Sequence, residues 1–104
     1  MLETNGLKIL TAYEGDLLTL KLLGRLDTNT SSLLEGAIFQ PEREFNRLLL
    51  DFEGVDYISS SGLRVLLRAE KAMRQRGGMK LIRVCDPILD IFEITRFSDV
   101  LTVE

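Results

Sequence analysis

The run from Arg47 to Arg76 leaves this chain the fewest ways to fold. It opens on Leu48, Leu49, Leu50 and Phe52, a short apolar block interrupted only by Asp51. A block of that length, leucine-rich and bounded by charge, reads as a buried central strand. Glu53, Gly54 and Asp56 follow, and a glycine with two acids in so short a span reads as a loop. Ser59, Ser60 and Ser61 then stand directly before Gly62 and an apolar-periodic segment. Serine is a favoured N-cap because its hydroxyl accepts a hydrogen bond from an orphan amide of the first turn. Three hydroxyls therefore crowd the positive end of a helix at the tip of a buried strand. Sites in open α/β sheets gather at the carboxyl ends of strands, so a site is expected here.

The flanking segments supply the rest of a sheet. Leu7 to Tyr13 and Leu17 to Leu23 both alternate, and Glu14-Gly15-Asp16 between them is a turn, so the pair predicts a β-hairpin. Gly24-Arg25-Leu26-Asp27 is expected to leave the sheet. A helix follows, with N-cap candidates from Thr28 to Ser32 and a possible capping box between Ser32 and Glu35. It ends before Pro41, which disfavours helix at Gln40. The second helix presents Leu63, Leu66, Leu67, Ala69, Ala72 and Met73 on one face. Arg64, Arg68, Lys71 and Gln75 lie opposite, and Gly77-Gly78 ends it. Met79 to Val84 reads as another strand. Asp86 and Pro87 open a third helix as N-cap and N1, with Ile88, Leu89, Ile91, Phe92 and Ile94 as its apolar residues. Phe97 to Val103 returns to the sheet or lies along its edge. Strands joined through helices should be parallel, with right-handed crossovers. The expected fold is a single small α/β domain spanning residues 1–104, a mixed sheet of about four to five strands with three packed helices.

Composition narrows the function classes. The net charge is -3 and no run of Lys or Arg occurs, which argues against nucleic acid and membrane surfaces as partners. No apolar run is long enough to span a bilayer, and Met1 to Gly6 lacks the basic and apolar regions of a secretion signal. Cys85 is the only cysteine, so it has no disulfide partner within the chain, and it reads as a small buried apolar residue. A cytoplasmic setting fits. The chain has no histidine, the commonest general base and transition-metal ligand. A serine nucleophile needs a positioned base, and neither Gly-x-Ser-x-Gly nor Ser-x-x-Lys is present, so enzymatic chemistry is not expected. No metal site and no cofactor is expected. Asp51 is an acid suited to hydrogen-bonding nearby amides. Gly62 alone makes no phosphate loop, and no Gly-rich cradle or aromatic platform suggests a nucleotide. Two readings of the serines stay open on chemistry alone. They are caps and loop residues, or one of them receives a phosphate, whose charge of about -1.5 to -2 would face the positive end of the helix.

The segment Leu48 to Leu67 resembles the signature of the STAS domain, in particular of bacterial anti-sigma factor antagonists. That signature is an apolar strand ending in Asp, a short loop, then Asp-Ser-Ser/Thr-Gly-Leu opening a helix. Leu23-Gly24-Arg25-Leu26-Asp27 resembles the family's second signature, after the second strand. The resemblance implies binding to an anti-sigma factor that is also a serine kinase. It implies phosphorylation of the serine two before the glycine, here Ser60, with Ser59 and Ser61 as alternates, reversed by a phosphatase. The implied partner surface comprises Arg25, Asp27, Asn29, Asp56, Ser59, Ser60, Ser61, Gly62 and Arg64. The sequence departs from the pattern in two places. Ser59 stands where the family has Asp, and the chain stops at Glu104, where many members add a helix. The first departure favours the family's other role, a constitutive interaction subunit of a lipid-transport ABC complex or of a stress-sensing assembly.

Overall fold

A computed structural model describes all residues, 1–104. The expected hairpin forms between β2 (Leu7–Glu14) and β3 (Leu17–Leu26), antiparallel with Leu7 opposite Gly24 and Glu14 opposite Leu17. A strand the alternation pattern did not disclose, β1 (Leu2–Thr4), pairs antiparallel with β2. Asn5-Gly6 joins them, a pair suited to a two-residue hairpin turn because Gly6 takes φ +102 without penalty. Helix α1 (Ser31–Phe39) then crosses to β4 (Arg47–Ile58), and α2 (Ser60–Met73) crosses to β5 (Met79–Ile82). Both crossovers return a parallel strand, giving one mixed sheet in the order β1-β2-β3-β4-β5. Helix α3 (Asp86–Ile94) and a 3-10 turn (Phe97–Asp99) complete the chain. Val103 then comes back beside β5 through one parallel bridge to Leu81, as the apolar end segment led one to expect.

One face of the sheet carries the core. Ile9, Leu18, Leu20, Leu22, Leu50, Phe52 and Leu81 are fully buried there, each two residues from the next on its strand. The helices bury against it Leu34, Ala37 and Ile38 from α1, Leu63, Val65, Leu66, Ala69 and Met73 from α2, and Ile88 and Phe92 from α3. The alternating residues Lys8, Thr19, Lys21, Leu49 and Lys80 are half-buried or exposed.

Five boundaries differ from the sequence reading, each for a physical reason. The largest concerns Glu53 to Ile58, which is not a loop but the outer half of β4. It pairs with a β3 that continues through Leu26 instead of leaving the sheet at Gly24: Leu23 lies beside Gly54, Arg25 beside Tyr57 and Leu26 beside Ile58. The register shifts twice, between Lys21 and Leu23 and between Gly24 and Arg25. Such bulges break the two-residue alternation by which a strand is recognised. Gly24 has φ +127, and a Cβ there would sit 2.2 Å from the Gly6 carbonyl, so the glycine marks a close strand approach and not an exit.

The entry to α1 is fixed by Asp27 and Thr30, not by Ser32 and Glu35. The Thr30 N–H donates to Asp27 Oδ1 and the Asp27 N–H to Thr30 Oγ1, both at 2.9 Å, a reciprocal box with an aspartate in the leading position. Strand β5 stops at Ile82 because Arg83 takes φ +56, which no strand continues. Cys85, not Asp86, is the N-cap of α3, so Pro87 falls one place further into the first turn. Ile94, expected on the apolar side of α3, is 82% exposed.

Candidate functional site

The end of β4 and the start of α2 are stitched to the end of β3. The Ser59 N–H donates to the Leu26 carbonyl at 2.8 Å, and the Ser59 carbonyl accepts from Leu63 N–H at 3.0 Å as the first bond of the helix. Ser59 is the N-cap residue, but its hydroxyl makes no capping bond, contrary to the expectation that the serines cap with their side chains. Ser59 Oγ is buried and has no hydrogen-bond partner. Ser61 is half-buried, and its Oγ accepts from Arg64 Nη2 at 3.3 Å. Ser60, between them at the first helical position, is exposed. The N–H groups of Ser60, Ser61 and Gly62 have no backbone partner, as at any helix start, and no side chain takes their place. Gly62 is buried because α2 here lies against both strand ends. A Cβ on it would come 2.8 Å from Ile58 Cγ1 and 3.0 Å from Leu26 Cβ.

The pairing of Leu26 with Ile58 brings the segment Arg25 to Asn29 beside this turn. Within it, Asp27 is committed to local structure. One carboxylate oxygen accepts the amides of Asn29 and Thr30 at 2.9 Å, and the other holds Arg25 Nε at 2.7 Å. The Arg25 guanidinium, with those two amides, outweighs burial and keeps the Asp27 carboxyl below the usual aspartate range. Arg25 remains more than half exposed. Asp56 is exposed on β4 and makes no ion pair. Arg64 is exposed one turn below Ser60. The predicted residues therefore assemble at one end of the sheet. Ser60, Arg25, Asp56 and Arg64 are at the surface, while Asp27, Ser59 and Gly62 hold the shape beneath.

Two participants escaped the sequence reading. Tyr57 is half exposed next to Asp56 and pairs in register with Arg25. An aromatic between an acid and the buried Ile58 was the available signal. The second is Arg83, which binds Asp51 through Nε at 3.2 Å and Nη2 at 2.6 Å. Asp51 is almost wholly buried and also accepts the Glu53 amide at 3.0 Å. Arg83 holds its carboxyl below the usual range despite the opposing effect of burial, and the carboxylate in turn raises the Arg83 guanidinium. This fork ties β4 to the loop after β5. The Cys85 thiol donates to the Val55 carbonyl at 3.5 Å, and Cys85 is half-buried, not the fully buried apolar residue expected, because it stands at the N-cap of α3. Clefts of about 590, 330 and 690 Å³ are found elsewhere, and none is lined by Ser59 to Gly62. No helix is long and apolar enough to cross a membrane.

The site is thus an exposed hydroxyl at a helix start, at one end of a mixed sheet, with the exposed charged side chains Arg25, Asp56 and Arg64 around it. The chain belongs to the STAS domain family, whose profile matches residues 8–104. It is 33% identical over 84 residues to a protein of Bordetella bronchiseptica described as a candidate anti-sigma factor antagonist, BtrV, covering 79% of this chain and 72% of that one. It is 31% identical over 83 residues to the anti-sigma-B factor antagonist of Listeria monocytogenes, covering 78% and 73%. Among solved structures, an anti-sigma factor antagonist from Mycobacterium paratuberculosis superposes with a TM-score of 0.83 at 16% identity, over 99% of this chain and 89% of that one. The Bacillus antagonist SpoIIAA in its unphosphorylated form gives 0.75 at 16% identity, over 93% and 88%. The phosphorylated form of SpoIIAA gives 0.69 over 93% and 91%.

Proposed function

We propose that this protein is an anti-sigma factor antagonist switched by phosphorylation of Ser60. Unmodified, it binds an anti-sigma factor that is also a serine kinase, through Arg25, Asp56, Tyr57, Ser60 and Arg64. The kinase phosphorylates Ser60, the complex separates, and a phosphatase restores the binding form. The observation that carries this reading is the difference among the three hydroxyls. Ser59 Oγ is buried, Ser61 Oγ is engaged by Arg64, and Ser60 is exposed. A kinase reaches only a hydroxyl it can approach. The relatives named as antagonists, and the solution of SpoIIAA in two phosphorylation states, support the assignment.

The geometry explains why the modification would act on the surface and not on the fold. A phosphoryl group on Ser60 adds about -1.5 to -2 charges at the positive end of a 14-residue helix, beside three free amides. The helix tolerates that charge. The partner meets a dianion and new bulk between Arg25 and Arg64.

Ser59 supports a second reading. The family's acid is absent beside the acceptor, and the Ser59 hydroxyl has no partner. A kinase that reads that acid would not act here, and the domain would then be a constitutive subunit of a lipid-transport or stress-sensing assembly. The deciding experiment isolates the intact protein from its own cells and maps phosphate by mass spectrometry, with Ser60→Ala and Ser60→Asp variants tested for co-purifying partners. Phosphate on Ser60 and loss of an anti-sigma partner in Ser60→Asp support the switch. No phosphate under any growth condition, with partners unaffected by Ser60→Asp, refutes it in favour of the constitutive subunit.

A further inference from the structure

At the sheet margin beyond β5, helix α3 and the last residues of the chain enclose a groove of about 690 Å³. Its apolar lining comes from Leu89 and Phe92 of α3 and from Leu101 and Val103 opposite. Asp86, Asp90 and Glu93 form its rim, spaced so that all three share one face of α3. All three are exposed, and none takes part in an ion pair. No Lys or Arg lines the groove. The two cations nearest in sequence are engaged elsewhere, Arg83 by Asp51 at 2.6 Å and Arg96 by Asp99 at 3.9 Å.

The backbone adds a direction to this chemistry. Leu81 N–H donates to the Thr102 carbonyl and Glu104 N–H to the Leu81 carbonyl, both at 2.9 Å. These bonds flank Val103, whose own N–H and C=O therefore point to the other side, the outer margin of the sheet. Neither makes a backbone hydrogen bond. An unpaired edge is a template for another strand.

We propose that this margin binds an extended basic segment of another protein by strand addition. The segment's backbone pairs with Val103, an apolar side chain enters the groove over Phe92 and Leu101, and flanking Lys or Arg side chains meet Asp86, Asp90 and Glu93. The rim selects the sign of the partner's charge, and the edge selects its extended conformation. The surface shares no residue with the Ser60 turn, so it stands whether or not Ser60 is phosphorylated.

The test is an amide NMR titration of the whole chain with the peptide acetyl-Lys-Val-Lys-Val-Lys-amide, with its Glu-for-Lys counterpart as control. The expected result is saturable shifts at Leu101 to Glu104 and along α3 with the basic peptide only. Those shifts should weaken as salt rises past about 0.1 M, where the screening length falls to about 10 Å. The double variant Asp90→Asn/Glu93→Gln, whose surface positions leave the fold intact, should bind about twofold to tenfold more weakly. Unmoved amides at Val103, equal binding of the acidic peptide, or undiminished binding by the double variant would each overturn the proposal. Concentration-dependent shifts at the same amides without peptide would assign the groove to a second copy of the chain, and would also overturn it.

Discussion

Gly62→Ala tests whether the start of α2 is placed by close packing. Two effects oppose each other. Alanine is the better helix former, by up to about 1 kcal/mol in a helix interior and less in the first turn. Against that, the new methyl meets Ile58 Cγ1 at 2.8 Å and Leu26 Cβ at 3.0 Å, with Ile58 Cδ1 at 3.3 Å. None of these neighbours yields easily. Leu26 Cβ is fixed by the β3 backbone, Ile58 is β-branched and stiff at its first torsion, and both residues are buried. Inserting a methyl into a packed site costs about 1–3 kcal/mol. The steric effect wins, and the net loss is about 1 kcal/mol. For a domain of this size that lowers the melting temperature by about 4–8 °C. Urea unfolding of four proteins completes the argument: the parent, Gly62→Ala, Ile58→Ala and the double variant. Ile58→Ala removes the two Ile58 atoms nearest the new methyl, so alanine at position 62 should cost about 1 kcal/mol less in that background. A Gly62→Ala protein more stable than the parent, or a cycle with no coupling, would show that the glycine is not there for the contact.

Asp51→Asn should destabilise at neutral pH by about 1–2 kcal/mol, towards the low end because Arg83 is partly solvated. The Asp51 carboxyl titrates below the ordinary value of 3.8 in the folded protein, so its contribution is present above that value and fades as pH falls through the lowered one. Chemical denaturation from pH 7 downward should show the gap between parent and variant closing below about pH 4; a gap that does not change would refute the ion pair as its source. Thr30→Ala removes both hydrogen bonds of the Thr30 hydroxyl, as acceptor for Asp27 N–H and as donor to the Arg25 carbonyl at 2.7 Å, while the backbone N–H at position 30 keeps its bond to Asp27; it should cost about 1–2 kcal/mol, and Thr30→Ser should keep most of that stability. Glu70→Met exchanges a buried acid, one oxygen of which has no partner, for an apolar chain of similar length. It should leave stability unchanged or raise it by about 1 kcal/mol despite the lost Arg74 contact, as thermal unfolding would show.

Local rules read most of this fold from the sequence, and non-local pairing accounts for what they missed. The hairpin, the three helices, the inner half of β4 and the parallel order all follow from alternation, helical periodicity and turn residues, which depend on neighbours within a few positions. The outer half of β4 does not. Glu53, Gly54 and Asp56 are poor strand residues by themselves, and they are extended because β3 runs beside them through two register shifts. The true capping box at α1 was missed for a related reason. Serine and threonine crowd residues 28–32, and only the position of Asp27 at the end of β3 decides which of them is used.

The site divides along the same line, and this explains why the motif could be found while the chemistry of its residues alone left its three serines unranked. Strand, serines, glycine and helix are contiguous, so their meeting place was legible. Which hydroxyl is exposed depends on how deeply the turn sinks between β3 and α2. That depth is set by Gly62 against Leu26 and Ile58, one of them remote in sequence. Asp51 is the complementary case. An acid inside Leu48 to Phe52 announces that a buried charge needs a counterpart, since an unpaired carboxylate in a core is costly. Its counterpart, 32 residues on, is reached only because β5 ends on a left-handed Arg83 that turns back over β4. The same turn starts α3 and so fixes where the acidic groove stands relative to the sheet edge. The Asp51–Arg83 fork is thus the joint between the two surfaces of this molecule, the Ser60 turn at the end of β4 and the margin beyond β5.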